Sequence, residues 1–219
     1  MAYFITFEGV EGCGKTTQIR RLAAALAGAG KQVTQTREPG GCPIADKIRA
    51  ILLDADNSAM TPSAELLLYA AARAQHISEV IAPALKRGDI VLCDRFTDAT
   101  LSYQGYGRGL DRETILRLND MATAGCRPDL TVLIDCPVET GLQRAMARIN
   151  AKSRANSNST REERFEMESR QFHQRVRDGY LTLAAEEPHR FVVVDGTGSI
   201  GEIAAAIASA VTSRLAGGA

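Results

Sequence analysis

The tightest constraint on this chain is a run of nine residues near its amino end, Gly9-Val10-Glu11-Gly12-Cys13-Gly14-Lys15-Thr16-Thr17. An apolar and β-branched run, Tyr3-Phe4-Ile5-Thr6-Phe7, precedes it and reads as a short buried strand. Ile19, Leu22, Ala23 and Leu26 follow it at helical spacing. Strand, then G-x-x-x-x-G-K-T, then helix is the setting of a phosphate-binding P-loop. Its glycines let backbone N–H groups turn inward around a polyphosphate, and the helix N-terminus adds partial positive charge. Lys15 is then placed to reach the β/γ-phosphates, and the Thr16 hydroxyl to bind Mg²⁺. The nine residues therefore predict a nucleoside triphosphate site.

The rest of the chain alternates strand and helix patterns. Gln32–Thr36, Ile90–Asp94, Leu130–Asp135 and Arg190–Val194 read as four further strands. Helices are expected from about Ile44 to Leu53, from Thr61-Pro62 to Gly88 with a kink at Pro83, and near Arg112–Ala124. Others are expected over Val138–Ile149, from about Glu162 past Tyr180, and over Ile200–Leu215. The polar, glycine-rich stretch Phe96 to Gly109 carries no assigned element. The pattern predicts an α/β fold with a doubly wound, five-stranded parallel sheet flanked by helices. Residues 150–160 are polar and of low complexity, and they read as part of a mobile lid at about 144–166 within a single domain spanning 1–219.

Lys+Arg and Asp+Glu both total 26, which argues against a nucleic-acid partner. The five cysteines are odd in number and form no C-x-x-C pair. With no secretory or membrane-spanning segment visible, they point to a reducing cytoplasm and no membrane partner.

A P-loop alone leaves kinase, GTP switch and ATPase motor open. No Asn-Lys-x-Asp guanine-reading segment is present, which disfavours the switch. Asp94, at the end of a buried strand, suits a carboxylate for Mg²⁺ or its waters. Arg37, Arg49, Arg73, Arg95 and Arg108 lie in the first half, and Arg144, Arg148, Arg154, Arg161 and Arg164 bracket the lid. An alcohol acceptor needs a general base, whereas a nucleoside monophosphate is already an anion. Holding two polyanions together is work for Arg, Lys and Mg²⁺. With no candidate among His76, His173 and His189 for a base, the arginine set fits the second case.

Four segments also resemble the bacterial thymidylate kinase family: Phe7–Thr17, Thr36-Arg37-Glu38-Pro39-Gly40-Gly41, Tyr69-Ala70-Ala71-Ala72-Arg73-Ala74-Gln75-His76, and Asp94–Gly109. The resemblance implies transfer of the ATP γ-phosphoryl group to dTMP, with Mg²⁺, in a cytoplasmic homodimer. It implies that Arg95 and Arg49 grip the acceptor phosphate, and that Glu11, with Glu38 nearby, points to the sugar 3′-hydroxyl and the metal shell. By the same resemblance Tyr69 stacks on thymine, Arg73 donates to a base carbonyl, Thr100 and Gln104 read the pyrimidine edge, and Tyr103 crowds the ribose 2′ position. Three features depart from the pattern: Tyr69 where phenylalanine is frequent, Glu163-Arg164 where Asp-Arg is common, and the added length at 150–160. Enzymes of the family without a P-loop arginine draw one from the lid. Arg164 is the first expectation for that role and Arg148 the second, with Arg154 and Arg161 expected in solvent.

Overall fold

The computed structural model describes residues 2–155 and 164–217. Five parallel strands, β1 (Tyr3–Glu8), β2 (Val33–Arg37), β3 (Ile90–Asp94), β4 (Leu130–Asp135) and β5 (Phe191–Asp195), form one sheet in the order β2-β3-β1-β4-β5. β1 pairs with β3 on one side, Phe7 beside Asp94, and with β4 on the other, Glu8 beside Leu133. The carboxyl ends of β1 and β3 thus lie together, where open α/β sheets collect ligands. β1, β3 and β4 are buried along nearly their whole length, as expected of parallel strands covered on both faces.

The helices are α1 (Lys15–Gly28), α2 (Pro43–Leu53), α3 (Pro62–His76), α4 (Ala82–Arg87), α5 (Thr97–Thr100), α6 (Arg112–Thr123), α7 (Val138–Ala155), α8 (Arg170–Glu186) and α9 (Ile200–Gly217). Thr61 caps α3 by accepting from Ala64 N–H at 3.4 Å, and Pro62 supplies its first turn. The expected kink at Pro83 is displaced upstream, into a π-helical turn over Ile77–Ile81 between α3 and α4. Proline lacks an N–H and crowds the carbonyl four residues back, so the wider turn absorbs the mismatch.

Two expectations needed correction. The stretch 96–109 is helical over 97–107: α5 runs into a π-helical turn over Leu101–Gly107. Gly107 serves packing, since a Cβ there would stand 2.7 Å from the Phe172 ring of α8. The helix expected from Glu162 begins instead at Arg170, capped by Ser169, whose hydroxyl accepts from Phe172 N–H. Before it, residues 164–168 turn inward and bury Arg164 and Phe165. Residues 156–163, including Arg161, Glu163 and the 156–160 part of the polar segment, lie outside the described residues, as does the side chain of Arg154.

Candidate active site

A cleft of about 1290 Å³ opens over the carboxyl ends of β1 and β3. On one side lies the P-loop. Gly14, at φ 99°, ends it and precedes α1, where only a residue free of Cβ strain is comfortable. The Lys15 ammonium donates to the carbonyls of Gly9 at 2.9 Å and Val10 at 3.0 Å, and reaches Cys13 Sγ at 3.5 Å. Thr16 Oγ1 donates to Asp94 Oδ2 at 2.8 Å, joining α1 to β3. These hard oxygens at the edge of a phosphate loop suit Mg²⁺, which keeps most of its waters and needs few protein ligands. Among the described residues no cluster of three or more His, Cys, Asp or Glu offers another metal site.

The P-loop meets α7 at a glycine pair. A Cβ on Gly12 would lie 2.0 Å from the Gly141 carbonyl oxygen, and one on Gly141 would lie 2.4 Å from the Glu11 oxygen. This approach carries Arg144 and Arg148 of α7 into the cleft wall. Arg144 donates to the Gly196 carbonyl at 3.1 Å. Arg148 is half exposed and stands 3.5 Å from Glu166. Burial, then the neighbouring Glu11, push the Glu166 carboxyl up from its ordinary range.

The opposite side is a web of buried side chains. Arg95, at φ 70°, donates from Nη2 to Glu11 Oε1 at 3.0 Å and to the Tyr103 hydroxyl at 2.9 Å. From Nη1 it donates to the Tyr180 hydroxyl at 3.1 Å. Tyr103 in turn donates to Glu11 at 2.5 Å. Burial alone would raise the Glu11 carboxyl, but Arg95, His173 and Lys15 together outweigh it and hold the group well below the usual carboxylate range.

Arg73 donates from Nε to Glu38 at 2.8 Å, from Nη1 to Asn119 at 2.6 Å, and from Nη2 to Thr100 at 2.9 Å and the Phe96 carbonyl at 3.0 Å. The other Glu38 oxygen faces His76 Nδ1 at 3.1 Å. Arg49 donates to the carbonyl of Pro39, which follows a cis Glu38–Pro39 bond. Gln104 donates its amide to Glu65 at 2.6 Å. Because a carboxylate only accepts, that bond leaves the Gln104 oxygen as the group turned to another partner. Burial first, then Glu65, raise the Tyr69 hydroxyl well above its ordinary value.

The structure thus brings Lys15, Thr16, Asp94, Glu11, Glu38, Arg49, Tyr69, Arg73, Arg95, Thr100, Tyr103, Gln104 and Arg148 to one cleft. Arg164 is not among its walls. Its guanidinium donates to the Leu52 carbonyl at 2.8 Å and to buried Glu65, which Arg108 also pairs at 3.2 Å. Held there, Arg164 ties residues 164–168 to the start of α3 and does not line the cleft in which it was expected. Its neighbour Phe165 does enter the cleft, edge-on to Tyr103 with ring centroids 5.5 Å apart.

The sequence reading missed Phe165, Glu166, Glu65, Glu8 and Tyr180. A buried carboxylate or tyrosine beside an arginine leaves no periodic mark; only Ser169 signalled that the helix begins late enough for 164–168 to turn inward. No histidine among the described residues lines the cleft. His173 Nδ1 lies 3.2 Å from Glu11 Oε2, out of line for a hydrogen bond.

Three comparisons bear on this geometry. A family model described as thymidylate kinase matches residues 7–207. The chain is 65% identical over 218 residues to thymidylate kinase of Geotalea uraniireducens, covering 100% of both chains. It is 64% identical over 215 residues to that of Geobacter sulfurreducens, covering 98% of this chain and 99% of the relative. The crystal structure of thymidylate kinase from Ehrlichia chaffeensis superposes with a TM-score of 0.75 at 32% identity, covering 96% of this chain and 98% of that one.

Proposed function

This chain belongs to the thymidylate kinase family, and on that premise we propose how its residues divide the reaction. The enzyme transfers the γ-phosphoryl group of ATP to dTMP, giving dTDP and ADP on the route to dTTP, and uses Mg²⁺. Thr16 and Asp94 would hold the ion, which would supply positive charge to the donor phosphates.

Glycine-loop amides and Lys15 hold the donor triphosphate. Arg95 and Arg49 hold the acceptor phosphate, Arg95 through the planar fork that suits phosphate oxygens. Glu11 faces the sugar, Tyr69 stacks on the base, and Tyr103 closes the 2′ side. Arg73, Thr100 and Gln104 read the pyrimidine edge, with Gln104 offering its oxygen to a base N–H. Glu38 holds Arg73 in that place. The acceptor oxygen is already anionic, so attack needs alignment and no proton abstraction. Arg148, helped by Arg144, supplies positive charge to the transferring group, because it lines the cleft while Arg164 is buried against Glu65.

The Arg73–Glu38 pair and the Arg95–Glu11 pair, the second reaching from the end of β3 to the P-loop, line one pocket and carry this reading of the acceptor site. An acceptor screen tests it: with ATP and Mg²⁺, dTMP should be preferred over dCMP and purine monophosphates. Equal use of dCMP or dGMP would sink the assignment of the base-reading residues.

We further propose a single domain spanning 1–219, working in the cytoplasm as a homodimer. No helix among the described residues is long and apolar enough to cross a membrane. Helices α2, α3 and α6 pack side by side and expose Ile51, Leu67, Leu116 and Met121. Large apolar groups left bare on adjoining helices suit a second copy of the chain. Sedimentation equilibrium should report a dimer for the wild type and a monomer for Leu67→Glu. A wild type that sediments as a monomer would end this proposal.

A further inference from the structure

Glu8 closes β1, one residue before the phosphate loop, and it is fully buried. It does not line the cleft and touches neither substrate's place there. Both of its oxygens nevertheless hold groups that flank or bond Arg95. Oε1 accepts from the Phe96 N–H at 2.7 Å, pinning the residue that follows Arg95 just where the chain leaves its left-handed turn. A non-glycine residue at positive φ persists only where its surroundings over-determine it. Oε2 accepts from the Tyr180 hydroxyl at 2.8 Å, and that hydroxyl accepts from Arg95 Nη1 at 3.1 Å.

A guanidinium has five N–H groups. Glu11 and Tyr103 take both on Nη2, and Tyr180 takes one on Nη1. The Nε hydrogen and the second Nη1 hydrogen lie on different edges of the guanidinium, since both of its two-donor edges include Nη2. An incoming phosphate therefore meets a guanidinium whose rotation Glu11, Tyr103 and, through Glu8, Tyr180 have already set.

We propose that Glu8 and Tyr180 are positioning residues for the acceptor phosphate: one buried carboxylate sets the backbone turn of Arg95 and, through the Tyr180 hydroxyl, the rotation of its guanidinium. Tyr180 sits on α8, so the element that follows the lid helps to aim a residue at the end of β3. The inference rests on the reading that Arg95 grips the dTMP phosphate.

Thymidine, which lacks that phosphate, separates aiming from general loosening. Calorimetric affinities for dTMP and thymidine would be measured for wild type, Tyr180→Phe, Glu8→Gln and Arg95→Ala, with kcat and KM for both substrates. Tyr180→Phe should weaken dTMP about tenfold, the scale of one hydrogen bond to a charged group, and thymidine less than twofold. Glu8→Gln keeps the side-chain volume and should move dTMP in the same direction by a smaller factor. KM for ATP should stay within twofold in both. Unchanged dTMP affinity in Tyr180→Phe and Glu8→Gln, or equal loss of dTMP and thymidine, overturns the inference while leaving Arg95's role intact. An Arg95→Ala protein that loses no more dTMP than thymidine affinity overturns the reading of Arg95 itself, and the inference with it.

Discussion

In the proposed donor site the groups offered to phosphate are mostly main-chain amides of one unbroken stretch, with Lys15 bonded to carbonyls of its own loop. On the other side of the cleft, side chains from β1, α3, α5, α6 and α8, with Glu11 of the phosphate loop and residues just after β2 and β3, are tied into a buried web, where bonds such as Arg73–Glu38 and Tyr103–Glu11 span 35 and 92 residues of sequence. The first kind of site survives exchange of many side chains, because backbone supplies the contacts. The second does not, because removing one member strands a buried partner without a hydrogen bond.

The sharpest test of this contrast sets two arginines side by side. Arg148→Ala should lower kcat by roughly 10² or more, since an arginine given to a phosphoryl transition state is worth about 10³–10⁵. Its melting temperature should barely move, because the side chain is half exposed. Arg164→Ala should do the reverse, costing about 3 kcal/mol by leaving Glu65 with less compensation while kcat stays within a few-fold. Steady-state kinetics and thermal unfolding of both variants decide the matter. A crippled Arg164→Ala of normal stability would restore it to the phosphates and erase the contrast.

Arg73→Ala probes the acceptor web directly. Its loss frees Glu38, Asn119 and Thr100 at once, so kcat/KM for dTMP should fall between about tenfold and a hundredfold. KM for ATP should change less than twofold. A parallel rise in both KM values would mean that the two sides are not separately built.

Glu8 offers a pH test of the same web. Burial, then Asp98, push its carboxyl up to about 7, against the opposing pull of Arg95, Tyr180 and the Phe96 N–H. In the unfolded chain it titrates near 4.3. Between those values the unfolded chain has released a proton that the folded one retains, so this group's contribution to stability falls as pH rises. Glu8→Gln cannot titrate. Its melting temperature relative to wild type should therefore climb by several degrees from pH 5 to pH 8. A gap independent of pH would show that Glu8 is ionised throughout.

The smallest effect is expected of Tyr103→Phe. The ring stays packed on Phe165 and Phe172, so exclusion of ribonucleotides should persist, while loss of the hydroxyl shared by Glu11 and Arg95 raises KM for dTMP by about threefold. Lost sugar discrimination with intact dTMP turnover would assign that work to the hydroxyl.

The same contrast explains what could be read from sequence. The P-loop, all five strands and the doubly wound sheet were legible, because each is written in a local run: glycines at fixed spacing, or apolar blocks such as Ile90–Asp94 and Leu130–Asp135. Tyr69 and Arg73 were placed on one helix by their spacing of four. The partners of these residues were not legible. Nothing near Arg164 announces Glu65, ninety-nine positions away, and nothing near Glu8 announces Tyr180. The helical character of 97–107 was hidden for a related reason. Gly107 looks like a loop residue until Phe172 is seen occupying the space a side chain would need.

The touching glycines at 12 and 141 act as the zero mark of a ruler. Counting from Gly141 at 1.5 Å per residue, Arg144 lies about 4.5 Å and Arg148 about 10.5 Å up the helix. Both graduations fall before residue 150, so chain added or removed beyond that point cannot alter where they stand relative to the phosphate loop. Length after the second graduation is then free to vary between relatives without recalibrating the chemistry. Deleting residues 151–159 should leave kcat within a few-fold, whereas Gly141→Ala, which moves the zero mark itself, should depress turnover although no reacting group has been changed.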